Sequence, residues 1–190
     1  MHADSWALKA KKLGLRSRAV FKLEEILTKT KILQKNSLVL DVGSSPGGWS
    51  ELIKTMEPLS RVYAIDLLPM DPIKDVIFFQ KDILNINEIE EISVLKSKFD
   101  LVISDLAPNL TGIKAVDEEN IFDINIITLK IALNYLRKTK GSFLIKTFQN
   151  SLLKKFRTEM ENSFHLVQTY KPAASKNKSA EIYLYGEKPL

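Results

Sequence analysis

Two charged side chains lie where the sequence predicts the ends of buried strands. Asp105 closely follows the apolar run Leu101–Ile103, and Lys146 directly follows the apolar run Phe143–Ile145. A charged group at the end of a buried strand is costly unless it is paired or functional. The aspartate and the lysine could therefore take part in proton transfer, or they could simply form an ion pair with each other.

A glycine-rich segment, Asp41–Trp49, follows the first predicted strand and indicates a nucleotide-type cofactor. Gly43, Gly47 and Gly48 allow the backbone to pass close to such a ligand. Their spacing matches neither the dinucleotide fingerprint nor the phosphate-binding loop that ends in Gly-Lys-Ser/Thr. A loop with few constraints toward pyrophosphate suits a cofactor without one, such as S-adenosylmethionine. A purely structural strand–helix turn is the alternative.

Two further carboxylates follow the next predicted strands. Asp66 ends the second strand, where a carboxylate can accept hydrogen bonds from the hydroxyls of an adenosine ribose. Asp82 follows the third strand and could accept a hydrogen bond from the adenine amino group. Either residue alone could be a helix cap or a turn former. Together with the glycine-rich segment they favour a ligand site, because ligands of open α/β sheets bind at the carboxyl ends of the strands.

The elements that must position these residues alternate along the chain. Five short apolar runs predict buried strands of a mostly parallel sheet: Leu38–Leu40, Val62–Ile65, Val76–Phe79, Leu101–Ile103 and Phe143–Ile145. Helical stretches separate several of them, the longest being Glu118–Leu136. Two more predicted strands, His165–Tyr170 and Glu181–Tyr185, have no long helix between them, which permits an antiparallel pair. The sequence therefore predicts an open α/β sheet.

The amino-acid composition argues against several kinds of site and of protein. The 190 residues suit a single domain over residues 1–190, with 45% hydrophobic and 27% charged residues. The absence of cysteine excludes disulfides and thiolates, and two histidines argue against a histidine-based triad or a metal site, so we expect no metal. No apolar stretch approaches the roughly 20 residues of a membrane-spanning helix. No signal peptide is evident, and we expect an intracellular protein in a reducing compartment.

Basic residues are concentrated near both ends of the chain, and the net charge is +5. They are Lys9, Lys11, Lys12, Arg16 and Arg18 in the first group and Lys171, Lys176 and Lys178 in the second. Such groups suit an RNA backbone, although solvated surface lysines are the alternative. Residues 1–35 are predicted to form a helical RNA-binding extension, with helices Leu8–Lys12 and Arg18–Lys29, before a catalytic core over residues 36–190. In the second helix Lys22 flanks the apolar stripe, a position typical of surface lysines.

Seven segments in order closely resemble the FtsJ-type family of RNA ribose 2′-O-methyltransferases, specifically its bacterial and mitochondrial large-subunit rRNA branch. They are Gly14–Lys22, Asp41–Ser50, Asp66–Pro72, Ser104–Asn109, Ala115–Asp117, Lys146–Gln149 and Ser175–Tyr183. The resemblance implies a Rossmann-like S-adenosylmethionine-dependent methyltransferase fold with N-terminal helices and an antiparallel C-terminal strand.

The resemblance also assigns site residues. It implies a catalytic tetrad of Lys22, Asp105, Lys146 and Glu181. Its cofactor contacts fall on Gly47, Trp49, Asp66, Asp82 and Asp105, to which we add Gly43 and Pro46 of the same loop. Within the tetrad, Lys146 is expected to be the general base and Lys22 a neighbouring cation, with the two carboxylates orienting the lysines.

The implied substrate is ribosomal RNA, with a large-subunit uridine or the large-subunit particle as the favoured target. The Asp66–Pro72 segment favours this branch over the alternative, a tRNA ribose 2′-O-methyltransferase. A small-molecule or protein methyltransferase and a catalytically inactive RNA-binding module are further alternatives, and the intact tetrad argues against both. We expect a monomer, in the cytoplasm of a bacterium or in a mitochondrion or other ribosome-containing organelle of a eukaryote.

Overall fold

The computed structural model describes residues 5–175 and 179–190. The helices in these ranges are α1 (Ser5–Lys12), α2 (Ala19–Thr30), α3 (Gly48–Met56), α4 (Glu90–Ser93), α5 (Lys114–Tyr135), α6 (Leu153–Glu161) and a 3₁₀ helix (Ile83–Glu88). The strands are β1 (Leu38–Val42), β2 (Arg61–Asp66), β3 (Val76–Gln80), β4 (Leu101–Ser104), β5 (Ser142–Phe148), β6 (Phe164–Tyr170) and β7 (Glu181–Pro189). Within the described ranges, none of the helices has the length and apolar character needed to cross a membrane.

The strands form one sheet in the order β3-β2-β1-β4-β5-β7-β6. Strands β1 to β5 are parallel, whereas β7 lies between β5 and β6 and is antiparallel to both. All seven predicted strands lie within observed strands. The continuous apolar runs of β1, β4 and β5 match strands that are buried on both faces. The predicted mostly parallel α/β sheet with an antiparallel C-terminal strand is therefore confirmed.

Successive side chains of a strand point to opposite faces of the sheet, so the core has two layers, one on each face. Leu40 of β1 and Ile145 of β5 point toward α5 and α6. Val39 and Leu144, their neighbours in sequence, point toward α2 and α3. Because side chains alternate between faces, Asp41 and Lys146 belong to the α2 and α3 side. The alternation of side chains therefore decides which helices can contact the charged residues near the ends of β1 and β5.

The turn after β1 depends on a glycine at position 43. Gly43 has φ of +79°, a left-handed conformation that side chains other than glycine rarely adopt. A Cβ atom there would lie 2.1 Å from Cγ of Leu106, in the loop after β4. The turn therefore requires glycine both for its backbone conformation and for the close approach of a neighbouring loop.

We predict that Gly43→Ala destabilises the protein more than Gly112→Ala does. Gly112 has φ of +83° but open space around its Cα, so alanine there adds backbone strain alone, of about 1 kcal/mol. Alanine at position 43 adds the same strain and an overpacking cost of about 1–3 kcal/mol. Urea unfolding of both variants measures the difference. Equal losses of unfolding free energy would show that Leu106 moves aside without cost.

Candidate active site at the carboxyl edge of the sheet

Two buried ion pairs lie at the carboxyl edge of the sheet. Nζ of Lys146 is 3.1 Å from Oδ1 of Asp105, and it also donates a hydrogen bond to the Asp105 backbone carbonyl. Nζ of Lys22 is 2.6 Å from Oε1 of Glu181. Both lysine side chains are at most 10% exposed, so each ammonium group depends on its carboxylate. The four residues that the resemblance assigned to a tetrad thus form two adjacent pairs.

Tyr183 connects the two pairs and was missed by the sequence analysis. Its hydroxyl lies 3.1 Å from Oδ1 of Asp105 and 3.4 Å from Oε1 of Glu181. Burial raises the pKa of Tyr183 well above its usual value of 10, and the two neighbouring carboxylates raise it further. The hydroxyl therefore keeps its proton and donates to the carboxylates. The signal that could have revealed it is the spacing of two residues from Glu181, which places both side chains on one face of a strand.

The strand register explains why these groups meet. Lys146 of β5 lies directly opposite Tyr183 of β7, and Glu181 is on the same face of β7 as Tyr183. Directly paired residues of antiparallel strands have adjacent side chains, so the lysine, the phenol and the glutamate share one surface. Helix α2 covers this face of the sheet and brings Lys22 to it.

The prediction from periodicity that Lys22 is a surface lysine is wrong. Lys22 is 5% exposed, because the flank of α2 on which it stands is covered by the sheet at β7. A buried ammonium group is tolerated there because the Glu181 carboxylate lies against it. The catalytic role that the resemblance implies for Lys22 stays a prediction.

The glycine-rich loop encloses a small polar cavity beside these pairs. The cavity has a volume of about 40 Å³, and Asp41, Ser44 and Asp105 contribute to its wall. Ser44 is 5% exposed, and among the described residues its hydroxyl is a buried polar group without a hydrogen-bond partner. Buried polar groups are normally satisfied, so an unpaired hydroxyl facing a cavity suits a polar group of a ligand.

The charge of this cavity favours a cationic ligand. Asp41 is 1% exposed and accepts a hydrogen bond of 2.7 Å from the Ser50 hydroxyl of α3. Burial, together with the nearby carboxylates of Asp105 and Asp66, raises the pKa of Asp41 to about 7. A positive charge beside Asp41 would stabilise its ionised form. The residues present therefore fit a positively charged cofactor.

The two carboxylates predicted to bind an adenosine moiety are both at the predicted edge. The Asp66 side chain accepts hydrogen bonds of 2.8 Å from the backbone N–H groups of Ser45 and Leu68. Asp82 accepts one of 2.9 Å from the N–H of Leu84 and so caps the 3₁₀ helix. Each carboxylate oxygen has two lone pairs, so both residues keep acceptor capacity for a ligand. Asp66 also orients the glycine-rich loop through its bond to Ser45.

Comparison with known proteins identifies the family. The model of the FtsJ-like methyltransferases matches residues 15–188. The chain belongs to the FtsJ-like methyltransferase family.

Individual relatives agree with this assignment. "Ribosomal RNA large subunit methyltransferase E" of Ehrlichia chaffeensis is 41% identical over 186 residues, which cover 96% of this chain and 87% of the relative. The protein of the same name from Thiobacillus denitrificans is 37% identical over 190 residues, 98% of this chain and 86% of the relative. A crystal structure of a Plasmodium falciparum protein assigned as a ribosomal RNA methyltransferase has a TM-score of 0.81 at 30% identity, covering 92% of this chain and 98% of that one.

Membership of the FtsJ-like family confirms the resemblance, the fold class and the prediction of a methyltransferase. It implies a methyl donor.

The Ala115–Asp117 segment of the resemblance has a structural role in the described fold. The Asp117 carboxylate accepts hydrogen bonds from the backbone N–H groups of Thr111 (2.6 Å) and Gly112 (3.1 Å). It thereby fixes the loop that follows Asp105.

Other residues predicted to bind the cofactor have clear packing roles. A Cβ atom on Gly47, which has φ of +101°, would lie 2.7 Å from Cδ1 of Ile73. The indole N–H of Trp49 donates to the carbonyl of Ala19 at 3.1 Å, which ties α3 to α2. Pro46 is exposed at the tip of the loop. These contacts fix the shape of the loop, and their part in cofactor binding stays a prediction.

The basic residues predicted to bind RNA lie in different environments. Lys11 and Lys12 are exposed on α1, whereas the ammonium group of Lys9 is 5.0 Å from the centre of the Trp6 ring. Arg18 is at the N-terminal end of α2. Arg16 binds within the chain, mainly to backbone carbonyls. Lys176 and Lys178 lie outside the described residues.

Among the described residues no group of three or more histidine, cysteine, aspartate or glutamate side chains could hold a metal ion.

We predict that Asp41 makes the cofactor-free enzyme less stable as pH rises from about 4 to about 7, and that Asp41→Asn removes this contribution. The unfolded chain ionises Asp41 near pH 4, whereas the folded protein keeps it protonated up to about 7. The folded state therefore binds an extra proton in this window, which contributes up to about 1.4 kcal/mol per pH unit.

Urea unfolding at several pH values between 4 and 8 checks this prediction. The exposed substitution Asp123→Asn on α5 serves as the control and should keep the wild-type slope. Parallel curves for wild type and Asp41→Asn would contradict the raised pKa of Asp41.

Proposed function

We propose that this chain transfers a methyl group from S-adenosylmethionine to a ribose 2′-hydroxyl of ribosomal RNA. The observation that carries the proposal is the pair of buried lysine–carboxylate contacts, linked by Tyr183, beside the glycine-rich loop. A methyltransferase needs a donor site and a group that removes a proton from a poorly acidic hydroxyl. Groups suited to both tasks lie at one edge of the sheet, which supports the proposal for a chain of the FtsJ-like family.

The cofactor site is supported by its charge and by an unpaired hydroxyl. The sulfonium and ammonium groups of S-adenosylmethionine would be attracted to Asp41 and Asp105, which line a small cavity together with the unpaired hydroxyl of Ser44. Its adenosine part would use the remaining acceptor capacity of Asp66 and Asp82. The loop residues would shape the donor site through their backbone; they are Gly43, Pro46, Gly47 and Trp49.

In the proposed reaction the sulfonium cofactor supplies an electrophilic methyl group. The methyl group would pass from sulfur to the ribose 2′-oxygen, and Lys146, as the free amine, would accept the hydroxyl proton. The side chain of Asp105 holds that lysine at 3.1 Å and so positions it. Positioning contributes several kcal/mol to such a reaction, and general base catalysis contributes roughly 10²–10⁴-fold.

Lys22 completes the arrangement as a second cation. Glu181 holds it at 2.6 Å, and Tyr183 joins this pair to the pair of Lys146. Lys22 would also hold the ribose or its phosphate.

RNA is supported as the substrate by the N-terminal extension, residues 1–35. Its exposed lysines, Lys11 and Lys12, together with Lys9 and Arg18, would contact phosphates, as would Lys171, Lys176 and Lys178 near the other end of the chain. The curated relatives named above are rRNA large-subunit enzymes, which favours ribosomal RNA over tRNA. Such a substrate would place the enzyme in a ribosome-containing compartment.

Labelled methyl transfer to purified rRNA and tRNA tests the proposed function. We expect label in large-subunit rRNA, at a linkage that resists alkali, because a methylated 2′-oxygen cannot attack the adjacent phosphate. Free RNA and the large-subunit particle are assayed side by side. Label in tRNA alone would contradict the proposed substrate, and alkali-sensitive linkages would contradict ribose methylation.

We predict that Lys146→Ala and Lys146→Arg both lose nearly all methyl transfer, by roughly 10²–10⁴-fold, while still binding the cofactor. Alanine removes the base, and a guanidinium group cannot deprotonate in this pH range. The control is Lys140→Ala, an exposed lysine just before the opposite end of β5, which should retain wild-type turnover. Single-turnover rates measure the effect. Substantial turnover by Lys146→Arg would assign proton removal to Asp105, Glu181 or water.

A further inference from the structure

Arg16, in the segment between α1 and α2, uses most of its hydrogen-bonding capacity within the chain. One Nη atom donates to the carbonyls of Pro46 (3.2 Å) and Asp71 (3.0 Å), and the other donates to the carbonyl of Pro72 (3.0 Å). Its Nε atom lies 3.5 Å from Oε1 of Glu51. A guanidinium group has five N–H donors, and four are engaged here. An RNA phosphate could bind well only by displacing some of these contacts.

These contacts join the glycine-rich loop to the segment that follows β2, residues 67–73. The beginning of this segment is held by Ser45, whose hydroxyl donates to the Pro69 carbonyl at 3.0 Å. Its far end is held by Arg16, through the carbonyls of Asp71 and Pro72. The segment is therefore attached to the loop at two places, one on each side of Met70.

Two side chains of this segment cover Gly47. Met70 lies between the two attachments, and Ile73 lies just beyond them. A Cβ atom on Gly47 would lie 2.8 Å from Sδ of Met70 and 2.7 Å from Cδ1 of Ile73. Both side chains are therefore packed against the turn that leads into α3. Movement of the Asp71–Pro72 end would withdraw them and leave the loop less constrained. The bond from Arg16 to the Pro46 carbonyl holds the loop itself at the same point.

We propose that Arg16 is a positioning residue for the methyl-donor site and not a phosphate contact. By holding the Asp71–Pro72 end of the segment against the glycine-rich loop, it keeps the loop in the shape that binds the cofactor. Arginine is required because its planar fork reaches three carbonyls in different directions, which the single ammonium of a lysine cannot do. The proposal rests on the proposed function, in which S-adenosylmethionine binds at this loop.

The test compares Arg16→Ala, Arg16→Lys and a control from the same basic stretch, Lys12→Ala. Lys12 is exposed at the end of α1. For each protein, calorimetry measures the affinity for S-adenosylmethionine, and RNA binding is measured over a range of salt concentrations. Thermal unfolding without cofactor and hydrogen exchange of the amides in residues 67–73 are recorded in parallel.

We expect both Arg16 variants to bind the cofactor roughly tenfold more weakly, the effect of losing one hydrogen bond to a charged group. Amides in residues 67–73 should exchange faster, and the salt slope of RNA binding should be unchanged. Lys12→Ala should show the converse: wild-type cofactor affinity, and a salt slope reduced by about one. If Arg16→Ala does not fold, Arg16→Lys carries the comparison.

Three results would overturn the proposal. Wild-type cofactor affinity in Arg16→Lys would show that a charge alone suffices. A reduced salt slope with unchanged cofactor affinity would make Arg16 an RNA contact. A lower unfolding temperature with unchanged cofactor affinity would give it a role in stability only. Failure of the wild-type protein to bind S-adenosylmethionine would instead contradict the proposed function.

Discussion

The rest of the structure depends on pairing four charged side chains at one edge of the sheet. Lys22 and Lys146 are buried ammonium groups that Glu181 and Asp105 stabilise. Losing one partner of a buried pair leaves an uncompensated charge, which is strongly destabilising. Tyr183 gives both carboxylates a shared donor and so fixes the distance between the pairs. The helix, the strands and the loop that carry these residues must all be in place for the two pairs to form.

Next to the ion pairs, Asp41 and Asp66 lie near the carboxylate of Asp105. These two neighbouring carboxylates add to the effect of burial in raising the pKa of Asp41. One edge of the sheet therefore combines two ion pairs with a cluster of carboxylates. The first suits proton transfer, and the second suits a cation. This division supports the proposed reaction, in which the methyl donor binds beside Asp41 and Lys146 is the base.

The N-terminal extension contributes to both regions. Helix α2 supplies Lys22 to the ion pairs, and the segment before it supplies Arg16 to the glycine-rich loop. Exposed Lys11 and Lys12 are nearby in sequence on α1. The extension therefore contributes Lys22 and Arg16 to the candidate site. Lys11 and Lys12 are candidates for RNA binding.

The sequence by itself determined the strands, the glycine-rich loop and the polar residues at the strand ends, because these depend on local apolar runs and turn residues. Asp105 and Lys146 could be found in this way. Tertiary structure decided the environments of Lys22, Tyr183 and Arg16. Helix periodicity placed Lys22 at the surface, but packing against β7 buries it. Tyr183 joins the site through strand register, and Arg16 binds carbonyls 55 and 56 residues away. Such contacts between distant segments arise only when the chain is folded, and no local pattern records them.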